Sequence, residues 1–429
     1  VGEGLLKSSS GAPPTLEPRH AVFCRAYSAD GVVIDEVLAV YMPAPASYTR
    51  EDVLEIQCHG GHASARAVLD AVLAQGADVR TAGPGEFTLR AFLRGRIDLV
   101  QAEAVADVIN AETTGSLVIH EALLEGALSR TVAQWQERLR EALMQIESYL
   151  DFAEEDDIPD FDTDRVQVLL DEVADGMNDK IGSYAWGRTA RDGFRVAIVG
   201  APNVGKSSLL NRMAEEERAI VSATPGTTRD TIEVRINALG APVHVIDTAG
   251  LRETVDEIER EGVDRARRAA LGADLLLIVF DGGREITSEE LDETRKLAEI
   301  KEVLAVINKD DLGQIPRENL SGVSGVDIVT TCASEGRGIT SLLEVIRDRA
   351  WAGESVTGSE PLTRLRHRET VENALASVER ARTILGGTGY VDAAASELHL
   401  ARGFLGELLG DGTPDEVLDG IFSEFCIGK

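Results

Sequence analysis

The chain is poor in cysteine and in positive charge, and it has no long apolar run. Its four cysteines, Cys24, Cys58, Cys332 and Cys426, are scattered through 429 residues. They make no CxxC pair and stand at no zinc-ligand spacing with histidine, so reduced thiols in a cytoplasm are expected. No stretch approaches the roughly 20 apolar residues that cross a bilayer. The N-terminus lacks the basic-plus-apolar layout of a signal peptide, so no membrane is expected among its partners. It opens on Val1 rather than Met, and residues are expected before it. Lysine and arginine number 43 against 74 acids, a net charge of −31. Phosphate backbones would be repelled, which argues against non-specific nucleic-acid binding as the main activity. A local basic patch remains open between Arg80 and Arg96, where Arg80, Arg90, Arg94 and Arg96 face one acid, Glu86. A solvated surface is the simpler reading of that patch.

What the chain does contain is ordinary globular material, 43% hydrophobic and 27% charged. Its length predicts two to four domains. Residues 21–58 read as strands, with a tight turn at Asp30-Gly31, followed by an amphipathic helix over Ala63–Gln75. Glycine and proline then become scarce from Leu99 to Asp151. Leu128, Val132, Trp135, Leu139, Leu143, Ile146 and Leu150 recur at heptad-like steps, which predicts a packed helical seam. A second helix is predicted from Thr163 to about Ala185. After Gly193, strand and helix patterns alternate to about Trp351, the mark of an α/β doubly wound sheet. Helical patterning resumes at Leu362. The expected architecture is an N-terminal α+β domain (1–94), an all-α helical domain in two parts (95–192 and 352–429), and an α/β domain (193–351) inserted between them.

The segment RVAIVGAPNVGKSSLLN holds Gly200-x4-Gly205-Lys206-Ser207 between a strand and a helix. Glycines let backbone N–H groups turn toward a β-phosphate, and the helix N-terminus adds its positive dipole end. Lys206 should bridge the β- and γ-phosphates, and the Ser207 hydroxyl should ligate Mg²⁺. Asp247-Thr-Ala-Gly250 follows a strand and places a carboxylate where it can hold a Mg²⁺-bound water. Asn308-Lys309-Asp310-Asp311 follows another, and Asp311 can accept both N–H donors of guanine's N1/N2 edge, which adenine lacks. Cys332-Ala333-Ser334 sits where a backbone N–H would meet guanine O6. In this order, at these strand ends, the four elements define a GTPase. Leu251, after DTAG, replaces the glutamine that orients water in Ras-type enzymes, so another group must serve. Asn203 and the run Ser222–Asp230 offer clustered oxygen ligands that could house a monovalent cation, or could be no more than a solvated loop.

PNVGKSSLLN, PGTTRD, DTAGLRE, NKDD, GPGEFTLRAFLRGRIDLVQAEAVADVI and the terminal FCIGK together resemble the MnmE (TrmE) family of tRNA-modification GTPases, over essentially the whole chain. The resemblance implies an N-terminal domain that dimerises and binds 5-formyltetrahydrofolate or methylene-tetrahydrofolate, a helical domain, and a Ras-like P-loop G domain inserted into it. It implies a homodimer working with the flavoprotein MnmG as a heterotetramer, on the wobble uridine of certain tRNAs, with K⁺-dependent contact of two G domains driving hydrolysis. By position, Asn203 and Thr227 would give side-chain oxygens to K⁺, with carbonyls from Ser222 and Thr224. Thr228 would join Ser207 on Mg²⁺, and Glu259 would orient the attacking water through a bridging water. The nucleotide would be held by Asn203, Val204, Gly205, Lys206, Ser207, Ser208, Ser222, Thr227, Thr228, Asp247, Gly250, Asn308, Lys309, Asp311 and Ala333. Glu55, Arg96 and Lys429 match positions near the folate, and Cys426 matches a cysteine implicated in the modification. The family's first-strand arginine at that pocket is expected to lie before Val1. A nucleotide-switched scaffold whose hydrolysis only resets the switch is the competing class, and a P-loop ATPase is disfavoured by Asn308 and Asp311.

Overall fold

The computed structural model describes residues 2–8, 10–76, 78–152, 162–216, 233–247, 272–313, 326–356, 358–387, 390–423, 425 and 428. Contacts divide the chain into two units, residues 1–106 with 406–429, and residues 107–405.

In the first unit, a short helix α1 (Gly2–Leu5) and strand β1 (Leu6–Lys7) lead into β2 (Ala21–Tyr27), β3 (Val33–Met42) and β4 (Val53–Gln57). The sheet runs in the order β1-β2-β3-β4 and is antiparallel throughout. Side chains alternate across it: Cys24, Ala26, Val37 and Ala39 point inward with Val68 and Ala71 of helix α2 (His62–Leu73). The cross-strand pair Phe23 and Leu38 faces outward, 51% and 39% exposed. The turn falls where Asp30-Gly31 predicted it, with Gly31 at φ 77°. Helices α3 (Glu86–Leu93), the start of α4 (Leu99–Asn110) and α13 (Asp415–Ser423) build a second core. Leu99, Ala102 and Ala106 meet Leu418, Phe422 and Phe425 there. The C-terminal segment thus folds with residues 86–106.

The second unit holds the long helices α5 (Thr114–Leu124), α6 (Ala127–Phe152), α7 (Thr163–Asp192), α11 (Leu365–Gly387) and α12 (Val391–Leu409). The predicted seam is buried from Leu128 to Ile146, but Leu150 is 39% exposed, so the stripe leaves the core one turn early. Helix α7 runs beyond Ala185 to Asp192, where Gly193 at φ 76° ends it. Its last turns are held by burial of Trp186, Thr189 and Ala190, and Gly187 lies against the Leu362 carbonyl where any side chain would collide. That approach comes from the returning chain, which sequence periodicity does not register. The two helical pieces pack together: Gln167 Nε2 donates to the Arg382 carbonyl at 3.0 Å, and Arg382 pairs with Asp171. Asp107 receives both Arg364 (2.8 Å) and Arg191 (3.6 Å), the residues flanking the inserted segment.

That segment is a six-stranded sheet made of β5 (Phe194–Val199), β6 (Glu233–Ala238), β7 (Ala241–Asp247), β8 (Leu275–Asp281), β9 (Val303–Asn308) and β10 (Asp327–Thr330). The order is β10-β9-β8-β5-β7-β6, all parallel except β6. Helices α8 (Lys206–Glu216), α9 (Ser288–Ala298) and α10 (Ile339–Ala350) accompany it. Strands β8 and β9 read as continuous apolar runs because a parallel sheet covered on both faces buries every side chain. After β5 the chain builds first to one side and then to the other. The carboxyl end of β5 is therefore the switch point where such sheets bind ligands.

Candidate active site

The phosphate loop leaves β5 at that switch point. Gly200, at φ 145°, lies against the Val279 carbonyl so closely that a Cβ cannot be accommodated. Asn203 takes the left-handed conformation (φ 64°), and Gly205 (φ 95°) lies against the Asn308 amide with the same consequence for a Cβ. Val204 is buried, while Ser207 and Ser208 stand exposed in the first turn of α8. Lys206 Nζ donates to the carbonyls of Gly200 (2.9 Å) and Ala201 (2.8 Å), which holds the ammonium over the loop. A glycine-forced loop, a helix N-terminus and a lysine on one spot form a polyphosphate cradle. Strand β7 pairs with β5 so that Asp247 lies opposite Ile198, at the edge of that cradle.

The NKDD loop is tied to the cradle through Asn308, which is 2% exposed. Its Nδ2 donates to the Val204 carbonyl at 3.0 Å, and its Oδ1 accepts from the Ala333 N–H at 3.1 Å and from Thr331 Oγ1 at 3.2 Å. Lys309, left-handed at φ 62°, sends Nζ to the Asn203 carbonyl (2.8 Å) and to Asp281 Oδ2 (2.7 Å). The lysine holds the Asp281 carboxyl below its usual range. Asp311 is exposed, and the buried Cys332 thiol donates to its Oδ1 at 3.2 Å. Arg212 of α8 clasps the same loop, donating to the carbonyls of Ala333 (3.0 Å) and Ser334 (3.1 Å). Asp281 and Arg212 were not singled out from sequence. An acid closing the apolar run LLLIVFD was the available signal for the first, and nothing local marks the second.

The structure thus brings together Asn203, Val204, Gly205, Lys206, Ser207, Asn308, Lys309, Asp311 and Ala333. Ser222, Thr224, Thr227, Thr228, Gly250, Leu251, Glu259, Cys426 and Lys429 lie outside the described residues, and of Asp247 only the backbone position is described. Glu55 lies exposed on β4 with its carboxylate accepting from Gln57 Nε2 at 2.7 Å. Arg96 donates to the Ser47 carbonyl at 3.2 Å and lies over the Tyr48 ring. The arginine patch requires a correction to its charge. A second acid, Glu51, binds Arg90 (3.2 Å) and Arg94 (2.9 Å), while Glu86 binds Arg80 and Arg90, each at 2.7 Å. Three of the four arginines are paired with these two acids, as in a solvated ion-pair network that still carries net positive charge. Among the described residues, no helix is long and apolar enough to cross a membrane.

A switch-point phosphate cradle locked to the NKDD loop defines a P-loop GTPase. The model of the MnmE helical domain matches residues 99–426, and that of the GTP-binding protein TrmE N-terminus matches residues 3–96. The chain belongs to the MnmE (TrmE) family. The tRNA modification GTPase MnmE of Syntrophotalea carbinolica is 43% identical over 406 residues, covering 93% of this chain and 87% of the relative. That of Geobacter sulfurreducens is 41% identical over 449 residues, covering 100% of this chain and 96% of its own. The Aquifex aeolicus protein of that name is 40% identical over 99% of this chain and 94% of its own.

Proposed function

We propose that the chain is a GTP-hydrolysing enzyme that works with the flavoprotein MnmG to install the (carboxymethyl)aminomethyl group at C5 of the wobble uridine of certain tRNAs. What carries this reading is similarity along nearly the whole chain to tRNA modification GTPases, since the G motifs alone name a nucleotide and no purpose. The domains are taken as 1–94, 95–192, 193–351 and 352–429.

The residues around the phosphate loop fit a Mg²⁺-nucleotide, because the glycine cradle and the exposed Ser207 stand at one helix N-terminus. Ser207 and Thr228 would hold Mg²⁺, which when bound neutralises charge on the terminal phosphates. Asn203, Ser222, Thr224 and Thr227 would hold K⁺ where an arginine finger serves other GTPases. Lys206 steadies the β/γ bridge, Glu259 orients the attacking water, and Asp311 selects guanine. Glu55, Arg96 and Lys429 are assigned to the folate, and Cys426 to the modification. A homodimer brings two G domains into contact, and tRNA engagement is assigned to the complex with MnmG rather than to the paired arginines.

Nucleoside analysis of tRNA from a strain lacking the gene tests the proposal. Wobble uridine bare at C5, restored by the wild-type gene, is the expected result; normal modification in the deletion strain would overturn it.

A further inference from the structure

We infer that Glu112 is a positioning residue for the GTPase reaction, acting from the helical scaffold through the β6–β7 hairpin. Glu112 lies in the corner between α4 and α5, its side chain 21% exposed. Its Oε1 accepts from Arg235 Nη1, and its Oε2 stands 3.3 Å from His244 Nε2. Arg235 and His244 are directly opposed partners on β6 and β7, so one carboxylate spans both strands of the hairpin. These two contacts hold the Glu112 carboxyl below its usual range, the His244 bond contributing most.

The same corner grips the hairpin a second time. At its turn, the Gly240 carbonyl lies so near Gly115 that any side chain there would collide. Ser116 in turn donates its hydroxyl to the Ala190 carbonyl of α7 at 2.6 Å. Gly193, at the end of α7, leaves room for the His244 ring, which would stand 2.6 Å from a Cβ. Scaffold, hairpin and the entry to β5 are thereby joined at one place. In sequence β6 begins three residues after Asp230, and β7 ends on Asp247 beside the phosphate-loop strand. A hairpin displaced along β5 carries Asp247 away from Gly200–Ser207, and misplaced groups slow the chemical step more than they weaken ground-state binding. The Arg235 side of this contact is part-exposed and contributes modestly to stability, so the hold should appear in turnover more than in folding. The inference rests on the reading of residues 222–230 and 247–259 as the metal- and water-orienting segments.

The test compares GTP turnover, GTP KM and fluorescent-GDP affinity in the full-length protein. Glu112→Gln is expected to lower kcat about tenfold with KM and GDP affinity within about twofold. The exchanged pair Glu112→Arg with Arg235→Glu restores the bond to β6 but not the one to His244, and is expected to recover part of that loss. An unchanged kcat in Glu112→Gln overturns the inference. So does a parallel loss of kcat, affinity and melting temperature that the exchanged pair does not repair. Asp247→Asn assayed alongside separates the two readings. Full turnover there sinks the assignment of Asp247, and this inference with it. Loss there beside a normal Glu112→Gln sinks Glu112 alone.

Discussion

Asn308 and Asp311 stand three residues apart and do different work. Asn308 is buried and joins the phosphate loop to the Thr331–Ala333 loop, so removing its amide orphans the Val204 carbonyl and the Ala333 N–H together. Each buried group left without a partner costs about 1–3 kcal/mol. Asn308→Ala should therefore destabilise the nucleotide-free protein by roughly 3 kcal/mol, read from urea unfolding. Asp311→Ala, at an exposed site, should change stability by less than about 0.5 kcal/mol. It should nevertheless weaken GTP binding by roughly a hundredfold. Equal stability losses in the two variants would refute this division. The NKDD motif made both residues legible in the sequence, because its spacing fixes a short turn at a strand end. Arg212 was not legible: it reaches its loop across 121 residues of chain, and no local pattern records such a contact.

At the scale of elements, the seam from Leu128 to Ile146 was readable because a helix packing on one face must repeat its apolar residues. The arginine segment around α3 was readable as basic, but its pairing with Glu51 was not, since Glu51 lies 39 and 43 residues from its two partners. Its ion pairs bear on acid stability. Bonds from Arg80, the Gly83 N–H and Arg90 bring the Glu86 carboxyl from its ordinary 4.5 down to about 2. A depressed folded-state value means that the stabilisation is fully present above about pH 4.5 and is lost as pH falls toward 2. Wild type should exceed Glu86→Gln in urea midpoint at pH 7, and the gap should shrink progressively as pH falls from about 4.5 toward 2. A gap constant with pH would mean that packing, not charge, sets the effect. Asp35, held well below the carboxylate range by Ser64 and the His59 N–H, should remain ionised across this window.

At the scale of the whole molecule, the alternation of strand and helix patterns announced an α/β insert, while the union of residues 406–429 with residues 1–106 was not visible from sequence. Phe422 and Phe425 show an apolar face but not whose core it joins. If two G domains must meet around K⁺, turnover per molecule should rise with protein concentration in KCl and stay low and flat in NaCl. A rate indifferent to both cation and concentration would remove the dimer mechanism. One carboxylate, Asp107, gathers the residues that precede and follow the G domain, and Gly187 meets Leu362 at the same neck. The insert therefore leaves and re-enters the helices at neighbouring points. Closing that neck without the insert would require only a short bridge, at little entropic cost. The GTPase module is in this sense a cassette, entered and left at one neck of the helical frame.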